Sequence, residues 1–151
     1  MEKRTFCPIE STIIKSLRIS AERFPNRTAI ICDEDSITFS QLFENVMELA
    51  GELFLGNQAR VYIINERKIE TIIKMLATLA AGKRYRVVND FSEIDEEENA
   101  ILDRQMKEND FAKYNVMYEI KTSGTTGKKK LIQRYQLFFM SLWIAIAKHL
   151  K

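Results

Sequence analysis

Residues 121–130 of this 151-residue chain read Lys-Thr-Ser-Gly-Thr-Thr-Gly-Lys-Lys-Lys, directly after the strand-like run Val-Met-Tyr-Glu-Ile at positions 116–120. Glycine permits the positive-φ conformations that turn successive backbone N–H groups toward one point. The hydroxyl groups add hydrogen-bond donors, and the lysines add positive charge with a flexible reach. A strand followed by such a loop has the composition that binding of a polyphosphate requires.

The spacing of the glycines separates this loop from the common nucleotide-binding cradle, which has four residues between its glycines and a Ser or Thr after its lysine. Here only Thr125 and Thr126 separate Gly124 from Gly127. The alternative interpretation is a polar surface turn with a solvated basic tail, because turns rich in Gly, Ser and Thr are frequent. The order Thr-Ser-Gly-Thr-Thr-Gly-Lys favours the phosphate loop.

That order resembles the signature loop of the adenylate-forming superfamily, which includes acyl-CoA synthetases and the adenylation domains of nonribosomal peptide synthetases. The loop of that family usually reads Thr-Ser-Gly-Thr-Thr-Gly-x-Pro-Lys-Gly. In this chain Lys129 stands at the position of the proline and Leu131 at that of the last glycine, whereas Lys130 keeps the lysine. Without the proline the backbone of the loop is less conformationally restricted, and Leu131 places a side chain where the family has a glycine.

Two further segments carry the same resemblance, in the same order along the chain. Residues 24–31 and 37–42 are similar to the opening strand pair of the family and to the "Leu-Thr-Tyr-x-x-Leu" start of the next helix. The second segment is residues 75–90, in which 79–82 and 85–90 are similar to "Leu-x-Ala-Gly-x-x-Tyr-x-Pro-x-x", with Val87 close to the position of the missing proline. Together the matches correspond to the N-terminal part of an adenylate-forming enzyme.

The resemblance implies an activity and a set of binding residues. Members of the family join a carboxylate to ATP, with magnesium, and form an acyl-adenylate and pyrophosphate. Donors and cations of the loop would stabilise charge on the departing pyrophosphate. By match of position, the residues implied in binding the phosphates of ATP are Thr122, Ser123, Gly124, Thr125, Thr126, Gly127 and Lys130, with Lys128 as a nearby charge.

The sequence offers no catalytic residue and no metal site of its own. His149 is the only histidine and is interpreted as a residue of a C-terminal helix. No pair of nucleophile and base can be assembled, so the hydroxyl groups of the loop are interpreted as ligand donors. The acidic run at residues 95–98 is interpreted as a solvated first turn of a helix rather than as paired carboxylates.

Other motifs of the family do not occur within these 151 residues: the aromatic-Thr-Glu segment, the ribose-binding aspartate motif and the lid with its catalytic lysine. We therefore expect an N-terminal portion, or truncated homologue, of an ATP-dependent carboxylate-activating ligase that does not catalyse alone. Two alternatives stay open. The chain could be a degenerate homologue that binds a nucleotide or a partner protein without turnover, or an assembly domain that keeps the loop as a relic.

Composition describes an ordinary globular protein, with 46% hydrophobic and 29% charged residues, and its length predicts a single domain over residues 1–151. A net charge of +2 and a short basic run do not favour binding of nucleic acid. Cys7 and Cys32 form neither a zinc spacing nor a disulfide framework. We expect a cytoplasmic protein without a membrane span, since the longest apolar run, residues 137–147, is too short to cross a bilayer.

Alternation of helical and strand patterns predicts an α/β fold, a twisted and mainly parallel sheet flanked by helices, like the leading portion of the N-terminal subdomain of the family. A helix at 136–150 with large apolar residues on nearly all sides predicts contact with a partner protein or a second copy.

Predicted helices are 11–23, one capped by Ser40 and ended by Gly56-Asn57, 69–80 closed by Gly82, and one opened by Ser92. Predicted strands are 28–32, 37–39 after a turn at 33–36, 60–64, 84–88, 115–120 and 130–134.

Overall fold

The computed structural model describes residues 12–94 and the backbone of two strands at residues 116–122 and 130–135. Helices and strands alternate along most of this length, which confirms the α/β class. The elements are α1 (Thr12–Arg23), β1 (Thr28–Cys32), β2 (Asp35–Thr38), α2 (Phe39–Leu55), β3 (Arg60–Ile64), α3 (Ile69–Ala80), β4 (Arg84–Val88), a short 3₁₀ helix (Phe91–Glu93), β5 (Val116–Thr122) and β6 (Lys130–Tyr135).

The larger sheet has the strand order β3-β4-β5-β6. β3 pairs with β4 and β4 pairs with β5 in parallel, whereas β5 and β6 are antiparallel. Parallel neighbours need a long connection, and α3 supplies it between β3 and β4. The predicted mainly parallel sheet is therefore confirmed, and its strand order, which could not be derived from the sequence, follows the order of the chain.

The hairpin of β1 and β2 is tighter than the sequence predicted. Cys32 pairs with Asp35, so the turn consists of Asp33 and Glu34 alone, and the prediction of a turn over 33–36 was wrong. Asp33 has a φ of 54°, in the left-handed region. Aspartate tolerates that region better than most residues because its short side chain can form local hydrogen bonds.

Thr38, and not Ser40, caps the N-terminus of α2. The hydroxyl of Thr38 accepts a hydrogen bond from the backbone N–H of Gln41 at 3.3 Å, and the Thr38 N–H donates to Gln41 Oε1 at 3.1 Å. This reciprocal pair is a capping box. Ser40 lies inside the first turn, where its hydroxyl donates to Glu44 Oε1 at 2.9 Å. The prediction for Ser40 was wrong because a cap needs the extended backbone that Thr38 has.

Thr38→Ala is therefore expected to lower the free energy of unfolding by about 1 kcal/mol, because the amides of the first turn lose their side-chain acceptor. Urea denaturation followed by circular dichroism measures the change. Ser40→Ala is the matched control, and we expect it to change stability by less than about 0.5 kcal/mol. A larger loss for Ser40→Ala than for Thr38→Ala would contradict the assigned cap.

The two predicted glycine stops differ in conformation. Gly82 follows α3 with a φ of 72°, in the left-handed region where glycine carries no steric cost. Gly56 follows α2 with a φ of −71°. Helix α2 thus ends where the sequence predicted, but the conformational freedom of glycine is not what ends it.

The hydrophobic core lies between the three helices and the small hairpin. Helix α2 packs against α3 and α1. Alanines 50, 77 and 80 are fully buried, and such small side chains let helix backbones approach closely. The buried members of this cluster are Ile14, Leu17, Ile37, Leu42, Val46, Ala50, Ile69, Ile73, Ala77, Ala80 and Ala81.

Several predictions fall outside the described residues or differ from them. Ser92 lies within the 3₁₀ helix, whose N-cap is Asp90, so it does not open a helix at that point. Strand β5 extends beyond the predicted end at residue 120 to Thr122. The predictions for residues 95–98 and 136–150, for Ser11 as the first residue of a helix and for Cys7 concern parts of the chain outside the description.

Candidate functional site

The carboxyl ends of β3, β4 and β5 lie at one edge of the sheet, because these strands run parallel. Ile64 pairs with Val88, and Arg86 pairs with Glu119. Counting onward from these pairs brings Asn65, Asn89 and Thr122 to the same level, and we call this row the polar edge. In open α/β sheets, ligands bind outside the carboxyl ends of the strands. The polar edge is therefore the candidate site.

Hydrogen bonds hold the backbone of the polar edge in place. The N–H of Asn65 donates to the carbonyl of Val88 at 2.8 Å, which ties the end of β3 to the end of β4. Both the backbone N–H and the side-chain amide of Asn89 donate to Glu93 Oε1 at 3.1 Å. Asp90 Oδ1 accepts from the N–H of Ser92 at 2.6 Å. The chain leaving β4 is thus fixed as a local turn.

A charged loop connects the polar edge to α3. Lys68 Nζ lies 2.9 Å from Glu66 Oε2, and this hydrogen bond, together with the negative charge of Glu66, raises the pKa of Lys68. Both side chains are exposed, so the pair contributes little stability. Arg67 is also exposed, and its carbonyl accepts a hydrogen bond from Cys32 Sγ at 3.2 Å. Exposed cations therefore lie close in sequence to the polar edge.

The predicted phosphate residues meet this edge at two points. Thr122 is the last residue of β5, Lys130 is the first residue of β6, and the two are register partners. The last residue of β5 and the first residue of β6 therefore lie at neighbouring backbone positions. Six of the predicted residues lie outside the described part of the chain, and their role stays a prediction. They are Ser123, Gly124, Thr125, Thr126, Gly127 and Lys128.

Asn65 and Asn89 were not among the predicted site residues. Each is the first residue after a strand of a parallel sheet, and both are exposed. That position, directly after a short buried strand, is the signal that could have identified them as candidates.

The residues that the structure describes contain neither a candidate metal centre nor a membrane-spanning helix. Side chains there form no group of three His, Cys, Asp or Glu residues that could hold a metal ion. Among the helices between residues 12 and 94, none has the length and hydrophobicity that crossing a bilayer requires.

The chain is similar to a known protein family and to several characterised proteins. A family model described as AMP-binding enzyme matches residues 17–107. Bacitracin synthase 3 of Bacillus licheniformis is 27% identical, with 82% of this chain and 2% of that protein covered. The N-terminal subdomain of NpsA from Klebsiella oxytoca, in complex with 3-hydroxybenzoyl-AMSN, is 21% identical with a TM-score of 0.57, with 90% and 43% of the two chains covered.

A third relative was solved with a nucleotide. O-succinylbenzoate coenzyme A synthetase (MenE) of Bacillus subtilis, in complex with ATP and a magnesium ion, is 17% identical with a TM-score of 0.55, and 79% of this chain and 42% of that one are covered. At such identities the structural likeness shows the fold.

The family model covers more than half of the residues, and the chain therefore belongs to the AMP-binding enzyme family. It corresponds to the N-terminal part of adenylate-forming enzymes, as the sequence resemblance implied. The chain spans between 1% and 7% of the length of the curated relatives. It spans 43% of the NpsA chain and 42% of the MenE chain described above.

Proposed function

We propose that this chain forms the phosphate-binding part of an ATP-dependent, carboxylate-activating ligase that produces an acyl-adenylate. The observation that carries the proposal is the register pair Thr122 and Lys130 at the carboxyl edge of a parallel sheet. This pair brackets the loop with the family's signature order, in a chain that belongs to the AMP-binding enzyme family.

The chemistry of the residues fits magnesium-bound ATP. Thr122 contributes a hydroxyl at one end of the loop and Lys130 an ammonium group at the other, and the glycines between them permit backbone amides to converge. Magnesium is usually held by one or two carboxylates together with substrate phosphates, so a cluster of protein ligands is not needed. When bound, magnesium would neutralise part of the phosphate charge.

The residues of this chain would bind the phosphates of ATP and stabilise charge on them, rather than form or break covalent bonds themselves. Amides, hydroxyls and Lys130 aimed at the β- and γ-phosphates would stabilise the charge that develops on pyrophosphate as it leaves. In-line attack also requires a carboxylate held in the right orientation. We propose that this second task belongs to other segments of the complete ligase, so that these 151 residues bind ATP without turning it over.

A thermal-shift titration tests the proposal. Magnesium-ATP and pyrophosphate are each expected to raise the melting temperature, because a ligand that binds only the folded state at 100 times its dissociation constant adds about 2.7 kcal/mol of stability. Sodium sulfate at matched ionic strength is the control for unspecific anion effects. The absence of any shift with millimolar magnesium-ATP would contradict phosphate binding. Carboxylate-dependent release of pyrophosphate by the isolated chain would contradict the proposal that this chain binds ATP without turning it over.

A further inference from the structure

Asn89 lies in the middle of the polar edge. It is the first residue after β4, the strand that has β3 on one side and β5 on the other. Arg86 pairs with Glu119, so three residues further along both strands Asn89 is level with Thr122, at the start of the proposed phosphate loop. Adjacent strands lie about 4.8 Å apart. Asn89 is therefore one strand away from the loop, whereas Asn65 is two strands away.

Glu93 fixes the side chain of Asn89 in one orientation. Oε1 of Glu93 accepts two hydrogen bonds from Asn89, one from the backbone N–H and one from the side-chain nitrogen Nδ2, each at 3.1 Å. An ionised carboxylate accepts hydrogen bonds and does not donate them, so the nitrogen of the carboxamide must face Glu93. Because the carboxamide is planar, its oxygen Oδ1 points away from Glu93.

The turn that carries Glu93 is itself held by hydrogen bonds. Asp90 Oδ1 accepts from the N–H of Ser92 at 2.6 Å, and the carbonyl of Asp90 accepts from the N–H of Glu93 at 3.3 Å. These bonds fix the turn before any ligand binds. A ligand that contacts the Asn89 oxygen therefore meets a preorganised group, and little side-chain freedom is lost on binding.

The oxygen of Asn89 is an acceptor at a place where anions are expected. Asn89 is exposed, and no donor among the residues that the structure describes contacts Oδ1. Phosphate oxygens are acceptors too, so this oxygen does not suit direct contact with the phosphates of ATP. Magnesium bound to phosphates keeps several of its waters, and these waters donate hydrogen bonds. The chemistry of Oδ1 therefore fits the hydrated metal ion.

We propose that Oδ1 of Asn89 accepts a hydrogen bond from a magnesium-bound water of magnesium-ATP, and that Glu93 is the positioning residue for this contact. The inference rests on the proposed function and adds to it a residue that recognises the metal ion and not the phosphates. The turn itself needs only the backbone hydrogen bond between Asn89 and Glu93. The second bond restricts an exposed side chain, which is entropically unfavourable unless the orientation is used.

Binding of ATP with and without magnesium tests the contact. Isothermal titration calorimetry measures the dissociation constants for magnesium-ATP and for ATP in EDTA, and we call their ratio the magnesium preference. Asn89→Leu removes the acceptor at similar volume and is expected to lower the magnesium preference about 3- to 10-fold, because one hydrogen bond is lost. Its affinity for metal-free ATP should stay unchanged, a result that a merely structural role of Asn89 would not produce.

Asn65→Leu is the matched control. Asn65 is also an exposed asparagine at the polar edge, but it lies one strand further from the loop, so its substitution should leave the magnesium preference unchanged. Glu93→Ala frees the Asn89 side chain and should lower the preference, though by less than Asn89→Leu. Glu93→Gln can still accept from Asn89 and should retain most of the preference.

The outcomes separate this inference from the proposed function. An unchanged magnesium preference in Asn89→Leu, or an equal loss in Asn65→Leu, would overturn the role of Asn89. Equal weakening of magnesium-ATP and metal-free ATP would overturn it as well. If Asn89→Leu does not fold, Glu93→Ala decides by the same ratio. An original chain that does not bind magnesium-ATP would overturn the proposed function, and this inference with it.

Discussion

Truncation of Ile63 to alanine is expected to lower the free energy of unfolding by about 2–5 kcal/mol. Ile63 lies in β3 and exposes only 1% of its surface. The loss combines the transfer of apolar atoms to water with the cavity that a closely packed interior leaves behind. Urea denaturation should show the midpoint falling by about 1 M or more, since a chain of this size has a slope of about 1–3 kcal/mol per molar urea.

Ile31→Ala is the matched control for this experiment. Ile31 lies in a strand of the small hairpin, but 74% of its surface is exposed. The same atoms are removed without forming a cavity, and we expect a change of less than about 1 kcal/mol. Equal losses at Ile63 and Ile31 would contradict the burial of the Ile63 side chain.

Lys130→Ala is expected to weaken binding of magnesium-ATP about 10- to 100-fold. A hydrogen bond between charged groups contributes about 1.5–3 kcal/mol, and each 1.4 kcal/mol corresponds to a factor of ten. The substitution leaves the backbone pairing of Lys130 with Thr122 in place, so the fold should persist. Isothermal titration calorimetry of the variant and the original chain measures the ratio of dissociation constants.

Lys15→Ala is the control, because Lys15 is an exposed lysine of α1, and the net charge changes by the same amount. Binding should be unaffected by this substitution. Lys128→Ala, which removes the neighbouring charge, should weaken binding less than Lys130→Ala. Equal dissociation constants for Lys130→Ala and Lys15→Ala would remove Lys130 from the phosphate-binding residues.

The central elements were predicted from the sequence with their correct bounds. Strands β3 and β4 and helix α3 begin and end at the predicted residues. The residues of β3 form a short, mostly apolar run with a polar boundary. Helix α3 has a clear 3.6-residue period that stops before Gly82. Where local pattern and burial agree, the sequence contains the necessary information.

Ends of elements were predicted less well, for two physical reasons. Thr38 and Ser40 are both good capping residues, and the choice between them depends on the backbone angles at which the chain leaves β2. Thr122 was assigned to the loop, but pairing with Lys130 extends the antiparallel ladder and makes Thr122 a strand residue. That pairing joins residues on either side of the loop, so a pattern within one segment does not reveal it.

The amino-acid order alone determined the alternation of elements, the resemblance to adenylate-forming enzymes and the candidate phosphate residues, since each depends on neighbours along the chain. Only the folded sheet shows which residues of different strands are neighbours. It places Asn65, Asn89 and Thr122 in one row and aligns Arg86 with Glu119. Which residues of different strands lie side by side depends on register, and a shift of one position exchanges the two faces of a strand. Register is set by packing between segments distant in sequence, and this is the information that local patterns lack.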